Sequence, residues 1–116
     1  MGVTRIEYSR RPNRESLSKR LGKKARLIRE RDSHRCVYCG AAHGPMHLDH
    51  VVAKNRGGQD TADNLVVACA SCNSAKQDMT IRQFLALLRN SRGWSHADTT
   101  RAARRVRRQL SKPLAA

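Results

Sequence analysis

The sequence of 116 residues predicts a small α+β domain in which two short strands and a helix surround four cysteines, with basic helices on either side. Three observations predict it. The cysteines form two C-x2-C pairs, CVYC at 36–39 and CASC at 69–72, on either side of a polar segment. Apolar runs near Leu48 and at 65–68 have the length of strands, and the flanking segments repeat their apolar residues with helical periodicity. Four aromatic residues leave little for a large core, so we expect a single domain.

The two cysteine pairs are separated by 29 residues and can direct four sulfurs to one point, as a structural zinc site requires. Two disulfides and a redox-active CxxC are the alternatives. The polar, basic start MGVTRIEYSRR is no secretory signal, so we expect a reducing, cytoplasmic environment without disulfides. A redox motif needs one pair in a βαβ context. We therefore expect zinc to hold this small fold together, with the ligands Cys36, Cys39, Cys69 and Cys72.

The first third of the chain is basic. Residues 1–14 are rich in Arg and contain Pro12, so we expect a flexible tail. From Ser16 to about Arg31, apolar residues recur at intervals of three and four, which predicts an amphipathic helix. The polar face of this helix carries Lys19, Arg20, Lys23, Lys24 and Arg26. These charges fit a solvated face, but their single sign favours contact with phosphates.

Asp49 and His50 lie side by side in a predicted strand marked by Leu48, Val51 and Val52. Neighbours on a strand point to opposite faces, so this pair can share a ligand only if the chain bends there. The glycines at 57–58 and the polar run to Asn64 predict a long loop. A second strand at 65–68 then enters the CASC pair, and residues 73–76 predict the start of a helix.

Two more helices are predicted after the second cysteine pair. Thr80 can cap a helix whose apolar stripe runs from Ile81 to Leu88 and which residues 90–93 end. Ser95 and Asp98 resemble a capping box for a last helix. The apolar residues of that helix are Ala102, Val106 and Leu110, and they are surrounded by Arg101, Arg104, Arg105, Arg107 and Arg108. Clamping DNA and binding a protein partner or a second copy are both open interpretations.

Charge is distributed unevenly along the chain. The formal net charge is +15, of which residues 1–33 carry +7, residues 34–78 carry none and residues 79–116 carry +8. A neutral centre between cationic arms is typical of a protein that binds a polyanion. A generic basic tail also fits the charge. No apolar run approaches the roughly 18 residues of a membrane span.

Five short motifs follow one another between about Arg35 and Lys76: CVYCG, LDHVV, GG, the step Asn64-Leu65-Val66 and C-x2-C-N-x2-K. Taken in this order, they resemble the HNH endonuclease family, specifically its zinc-stapled members. The resemblance implies a ββα-metal fold with one catalytic divalent ion. One position departs from the family: Asn73 stands where the last His is usual. An Asn oxygen is a hard, neutral donor that suits Mg²⁺ or Mn²⁺, so the chain resembles an HNN variant.

The resemblance also implies roles for individual residues. His50 would be the general base, since imidazole titrates near neutral pH. Asp49 and Asn73 would ligate one Mg²⁺ or Mn²⁺ ion, and Asn64 would fix the loop and orient His50. We therefore expect a DNA endonuclease that nicks or cuts both strands, with RNA still open as a substrate. The residues expected to contact nucleic acid are Lys54, Arg56, Lys76, Arg104, Arg105 and Arg108.

The predicted organisation has three parts: a basic tail at 1–14, a nuclease domain at 15–90 that includes the N-terminal helix and the helix after the second cysteine pair, and a basic C-terminal helix at 91–116. The main alternative function is a zinc-containing adaptor that binds nucleic acid without cleaving it. A structural ribosome-associated protein would fit the charge but would leave the Asp49-His50 pair unexplained.

Overall fold

A computed structural model describes residues 17–115. The tail predicted at 1–14 lies outside these residues. The elements are helices α1 (Leu17–Leu21) and α2 (Lys23–Arg31), strand β1 (Met46–His50), a 3-10 turn (Lys54–Arg56), strand β2 (Leu65–Cys69), and helices α3 (Ala70–Lys76), α4 (Ile81–Arg92) and α5 (His96–Ser111). The predicted α+β class is confirmed. In the described part of the chain, no helix has the length and apolar character needed to span a bilayer.

The N-terminal helix is broken into α1 and α2 at Gly22, which corrects the prediction of one continuous helix. Gly22 has a φ of 55° and a ψ of −118°, a conformation that glycine adopts more readily than other residues. The apolar side of α2 is still the predicted one, because Ala25 and Ile28 are buried against Leu48 and Leu65.

The two strands form an antiparallel pair in which Met46 lies opposite Cys69 and His50 opposite Leu65. β1 ends at His50, so Val51 and Val52, which the sequence placed in the strand, lie in the bend that follows. β2 is buried on both faces. One face packs on α2, and the other contacts the first cysteine pair, α4 and α5.

Helix α3 begins at Ala70, three residues before the predicted start. Cys69 caps it, and its sulfur accepts a hydrogen bond from the backbone N–H of Cys72 at 3.4 Å. Asn73 therefore lies in the middle of the helix and Lys76 at its end.

The predicted cap at Thr80 and the predicted capping box at Ser95 are both present, and each starts one of the last two helices as a capping box. Thr80 pairs with Gln83 at the start of α4, and Ser95 pairs with Asp98 at the start of α5. α4 runs to Arg92 and ends at Gly93, whose φ of 70° suits glycine.

The apolar side of α5 packs on the main core. Ala102 and Val106 are buried, and Leu110 packs against the cluster that contains Val106 and Phe84. The expectation that α5 binds a second copy or a partner through these residues is not supported, because the protein itself covers them.

A buried ion pair joins α2 to β2 and α5. The guanidinium of Arg31 donates to both carboxylate oxygens of Asp32, at 2.7 and 3.2 Å, and to two backbone carbonyls. Asp32 in turn accepts from the backbone N–H of Val67 at 2.9 Å and from the side chain of Gln109 at 3.0 Å. Every polar group of the pair has a partner, which offsets the cost of burying the charges.

Candidate active site

The four cysteines converge on one point. Their sulfurs all lie within 4.8 Å of one another, and the sulfurs of Cys39 and Cys69 are 3.7 Å apart. A zinc ion bonded to four sulfurs at about 2.3 Å spaces them about 3.8 Å apart, whereas a disulfide needs about 2.05 Å. All four thiols are free. The cluster can therefore hold a zinc ion.

Backbone and thiol hydrogen bonds shape this cluster. The N–H groups of Cys39 and Cys72 donate to the sulfurs of Cys36 and Cys69, both at 3.4 Å, so each C-x2-C turn presents its sulfurs on the same side. Hydrogen bonding from Cys72 lowers the pKa of Cys36 to about 4 and raises that of Cys72 itself. Four sulfurs held this close together are suited to a cation, which takes the place of their protons when it binds.

A second, chemically different site lies beside the sheet. Asp49, His50 and Asn73 line one open cleft of about 340 Å³. Asp49 and His50 can share it because β1 ends at His50. Asn55 and Asp78, which the sequence reasoning did not single out, line the cleft as well. Its carboxylate and amide oxygens suit a hard divalent cation, in contrast to the soft thiols of the cysteine cluster.

Asp49 is buried, and its carboxylate has two distinct sides. Oδ2 accepts a hydrogen bond from the hydroxyl of Tyr38 at 2.6 Å and lies 3.3 Å from Nζ of Lys76. Within residues 17–115 no hydrogen bond reaches Oδ1, so this oxygen is available to a ligand in the cleft. Burial raises the pKa of Asp49, while the charge of Lys76 and the hydrogen bond from Tyr38 act in the opposite direction.

His50 has a carboxylate partner that the sequence analysis missed. Its Nε2 lies 2.7 Å from Oδ1 of Asp60. The other oxygen of Asp60 accepts from Arg20 at 2.8 Å and from Lys54 at 3.4 Å. The hydrogen bond with His50 is the main reason that the pKa of Asp60 is lowered to about 2. The only signal in the sequence was an acidic residue in the glycine-containing loop.

Asn64 joins the two ends of the loop between the strands. Its side chain accepts from the N–H of Val52 at 2.8 Å and donates to the carbonyls of Val52 and Gln59, both at 3.0 Å. Gly58 is required at this point, because a Cβ there would lie 1.6 Å from the Val52 carbonyl oxygen. The bend that follows His50 is therefore fixed by hydrogen bonds and by close packing of the backbone.

Residues 36–79, which contain the cysteine cluster, Asp49, His50, Asn64 and Asn73, match the model of the HNH endonuclease family. The match covers 44 of the 116 residues and supports the resemblance that the motifs indicated, and residues 36–79 are the HNH segment of the chain. Neither the curated proteins nor the solved structures contain a match to the chain. The HNH segment comprises both strands, the loop between them and α3, and the described helices before and after it pack around it.

Two of the basic residues expected to contact nucleic acid donate hydrogen bonds to backbone carbonyls of the HNH segment. Lys76 is fully buried, and its Nζ donates to the carbonyl of His50 at 2.8 Å and contacts Asp49. Arg105 donates to the carbonyls of Val37 at 2.9 Å and Tyr38 at 2.5 Å. The expectation for Lys76 is corrected, because its ammonium is buried and engaged within the protein. Arg105 is half-buried and uses its Nε and Nη2 in these bonds, so its contact with nucleic acid stays a prediction.

The other four basic residues named from the sequence remain at the surface. Lys54 lies at the cleft, and Arg56 donates to the backbone carbonyl of Asp78 at 2.8 Å while its side chain stays exposed. Arg104 and Arg108 are exposed on α5. Their positions leave them accessible to a large polyanion.

Proposed function

We propose that this protein is a metal-dependent endonuclease that hydrolyses phosphodiester bonds in DNA, by nicking or by cutting both strands. The observation that carries the proposal is that Asp49, His50 and Asn73 line one cleft within the HNH segment. The cleft is open, as a substrate as wide as a nucleic acid requires.

His50 is the general base in this proposal. Its Nε2 is occupied by Asp60, so Nδ1 is the nitrogen that takes a proton from the attacking water. Hydrolysis then leaves a 5′-phosphate and a 3′-hydroxyl, as the family resemblance implies.

Asp49 and Asn73 are the proposed ligands of a catalytic Mg²⁺ or Mn²⁺ ion. Oδ1 of Asp49 is oriented for this role, because Tyr38 and Lys76 both engage Oδ2. When bound, such a cation would stabilise the negative charge that develops on the phosphate and on the departing oxygen. Asn64 supports the same cleft from the loop by holding the backbone at Val52.

The zinc ion in this proposal is structural and lies in the cysteine cluster. Nucleic acid is attracted by the cationic flanks of the chain, with Lys54, Arg56, Arg104 and Arg108 as the proposed phosphate contacts. The resemblance to the HNH family favours DNA as the substrate, and RNA is included in the test.

The test is cleavage of supercoiled plasmid by the zinc-loaded full chain with added Mg²⁺ or Mn²⁺. We expect nicked or linear product with the wild type and none with His50→Ala, while zinc content and DNA affinity stay the same in the variant. The removal of Mg²⁺ by EDTA should stop cleavage, and its return should restore cleavage in protein whose zinc content is verified. Full activity of His50→Ala would refute the assignment of the base. Binding without cleavage by the wild type would identify the protein as an adaptor, and a parallel panel of duplex DNA, single-stranded DNA and RNA would define its ligand.

A further inference from the structure

The carboxylate of Asp60 contacts three cationic or proton-donating side chains at once. One oxygen lies 2.7 Å from Nε2 of His50, and the other accepts from Arg20 at 2.8 Å and from Lys54 at 3.4 Å. Asp60 belongs to the loop between the strands, whereas Arg20 belongs to α1, 40 residues earlier in the chain. The loop and the N-terminal helix therefore meet at the side chain that contacts His50.

From this geometry we propose that Asp60 is a positioning residue that keeps His50 in the tautomer with its proton on Nε2, and that Arg20 orients Asp60 for this purpose. The inference rests on the proposed function in one respect, namely that His50 is the base of the reaction.

A carboxylate oxygen only accepts hydrogen bonds, so at 2.7 Å the Nε2 of His50 is the donor. The neutral ring then has its lone pair on Nδ1, the nitrogen that must accept a proton from water. Without Asp60 the ring would divide between two tautomers, of which only one is competent, and it would be free to rotate. The lowered pKa of Asp60, about 2, means that the carboxylate is ionised wherever the enzyme works.

Arg20 contributes orientation more than stability. Its side chain is 46% exposed, and ion pairs that exposed contribute little to the free energy of folding. By taking Oδ2, however, it turns Oδ1 toward His50. Lys54 assists at a longer distance. Arg20 lies in α1, outside residues 36–79. The orientation of His50 therefore depends on a helix that is not part of the HNH segment.

The first experiment reads the tautomer directly and needs no turnover. Two-bond ¹H–¹⁵N correlation spectra of the zinc-loaded full chain, recorded well above the ordinary titration range of imidazole, report which ring nitrogen carries the proton. His50 is assigned by the signal lost in His50→Ala. We expect an Nε2-protonated ring in the wild type, a mixture in Asp60→Ala, and a largely restored Nε2-protonated ring in Asp60→Asn, whose amide oxygen still accepts. An Nδ1-protonated wild type, or no change in Asp60→Ala, would overturn the proposal.

The second experiment measures single-turnover cleavage and DNA affinity in the same variants. We expect Asp60→Ala to lower the cleavage rate by about 10 to 100-fold, the usual effect of removing a partner that orients a catalytic group, without weakening DNA binding. Asp60→Asn should recover part of the rate. The matched control is Asp63→Asn in the same loop, whose exposed carboxylate accepts from Thr61. An equal loss of rate in Asp63→Asn would show a general effect of the loop and would count against the proposal.

The role of Arg20 is separated from its charge by a comparison with Arg26→Ala. Arg26 lies on the neighbouring α2 and pairs with Glu30, so both variants lose one positive charge from the same region. We expect Arg20→Ala to reduce the cleavage rate at saturating DNA by several-fold more than Arg26→Ala, and equal rates would refute the coupling. If the tautomer differs between the wild type and Asp60→Ala as expected but the wild type cleaves no substrate, the proposed function is refuted and the Asp60–His50 arrangement is established.

Discussion

The hydroxyl of Tyr38 donates a hydrogen bond to Oδ2 of Asp49 at 2.6 Å, and both side chains are buried. Tyr38 lies between Cys36 and Cys39, so the turn that carries two of the cluster's cysteines directly contacts a residue of the cleft. The ring of Tyr38 packs edge-on against Phe84, with the ring centres 5.1 Å apart. The two sites are therefore joined by one side chain that the core keeps in place.

Tyr38→Phe keeps this ring packing and removes only the hydrogen bond. Loss of a hydrogen bond to a buried charged group costs about 1 to 3 kcal/mol, so we expect the free energy of unfolding to fall by that amount and the melting temperature to fall with it. We also expect cleavage to require more Mg²⁺, because Asp49 loses one of the two groups that orient it. Titration of activity against Mg²⁺ measures this, with zinc content as the control. An unchanged Mg²⁺ requirement would show that Tyr38 does not orient Asp49.

Loss of the zinc site should unfold the protein. We expect Cys72→Ser, or removal of the metal with a chelator, to abolish the cooperative thermal transition, because structural zinc in small domains supplies on the order of 10 kcal/mol of apparent folding free energy. Circular dichroism measures the transition, and added Zn²⁺ should restore it after chelation. Ser74→Ala, at an exposed position in the same helix, is the matched control. A melt of Cys72→Ser that matches the wild type would contradict a zinc-dependent fold.

The affinity of the cleft for Mn²⁺ should fall as the pH is lowered from neutral. Burial raises the pKa of Asp49, so protons compete with the cation at a higher pH than they would for an exposed aspartate. Affinity is full above the raised pKa and is lost as the pH falls through it. Electron paramagnetic resonance of bound Mn²⁺, with the zinc content monitored, tests this. Asp49→Asn should bind weakly at every pH, and a similar pH step in that variant would assign the proton to another group.

Arg105 and Arg108 should give opposite results although both belong to α5. Arg105→Ala removes two hydrogen bonds to the carbonyls of Val37 and Tyr38, which lie between the first two cysteines, so we expect a lower melting temperature. Arg108→Ala should leave the melting temperature unchanged and weaken DNA binding, with the slope of log affinity against log salt reduced by about 0.9 for one lost phosphate contact. Binding curves at several salt concentrations decide this. Equal effects of the two substitutions on melting temperature and on DNA affinity would contradict a structural role for Arg105 and a phosphate contact for Arg108.

Much of the fold could be predicted from local patterns in the sequence. Two C-x2-C pairs predicted the cysteine cluster, and the capping residues Thr80 and Ser95 predicted where α4 and α5 begin, because a turn or a cap is made by residues within about four positions of one another. Such patterns gave a wrong prediction where one residue changes the direction of the backbone. Gly22 breaks a helix that apolar periodicity alone predicted as continuous.

Sequence alone also indicated the resemblance to the HNH endonuclease family and named the group of residues from which the proposed site is drawn. Tertiary structure alone decided which side chains are partners: Asp60 with His50, Tyr38 and Lys76 with Asp49, and Arg105 with the first cysteine pair. These contacts join residues that are 10 to 68 positions apart. Charge and spacing identify a lysine or an arginine, but its role depends on whether the folded chain buries its donors against carbonyls and carboxylates or leaves them in water.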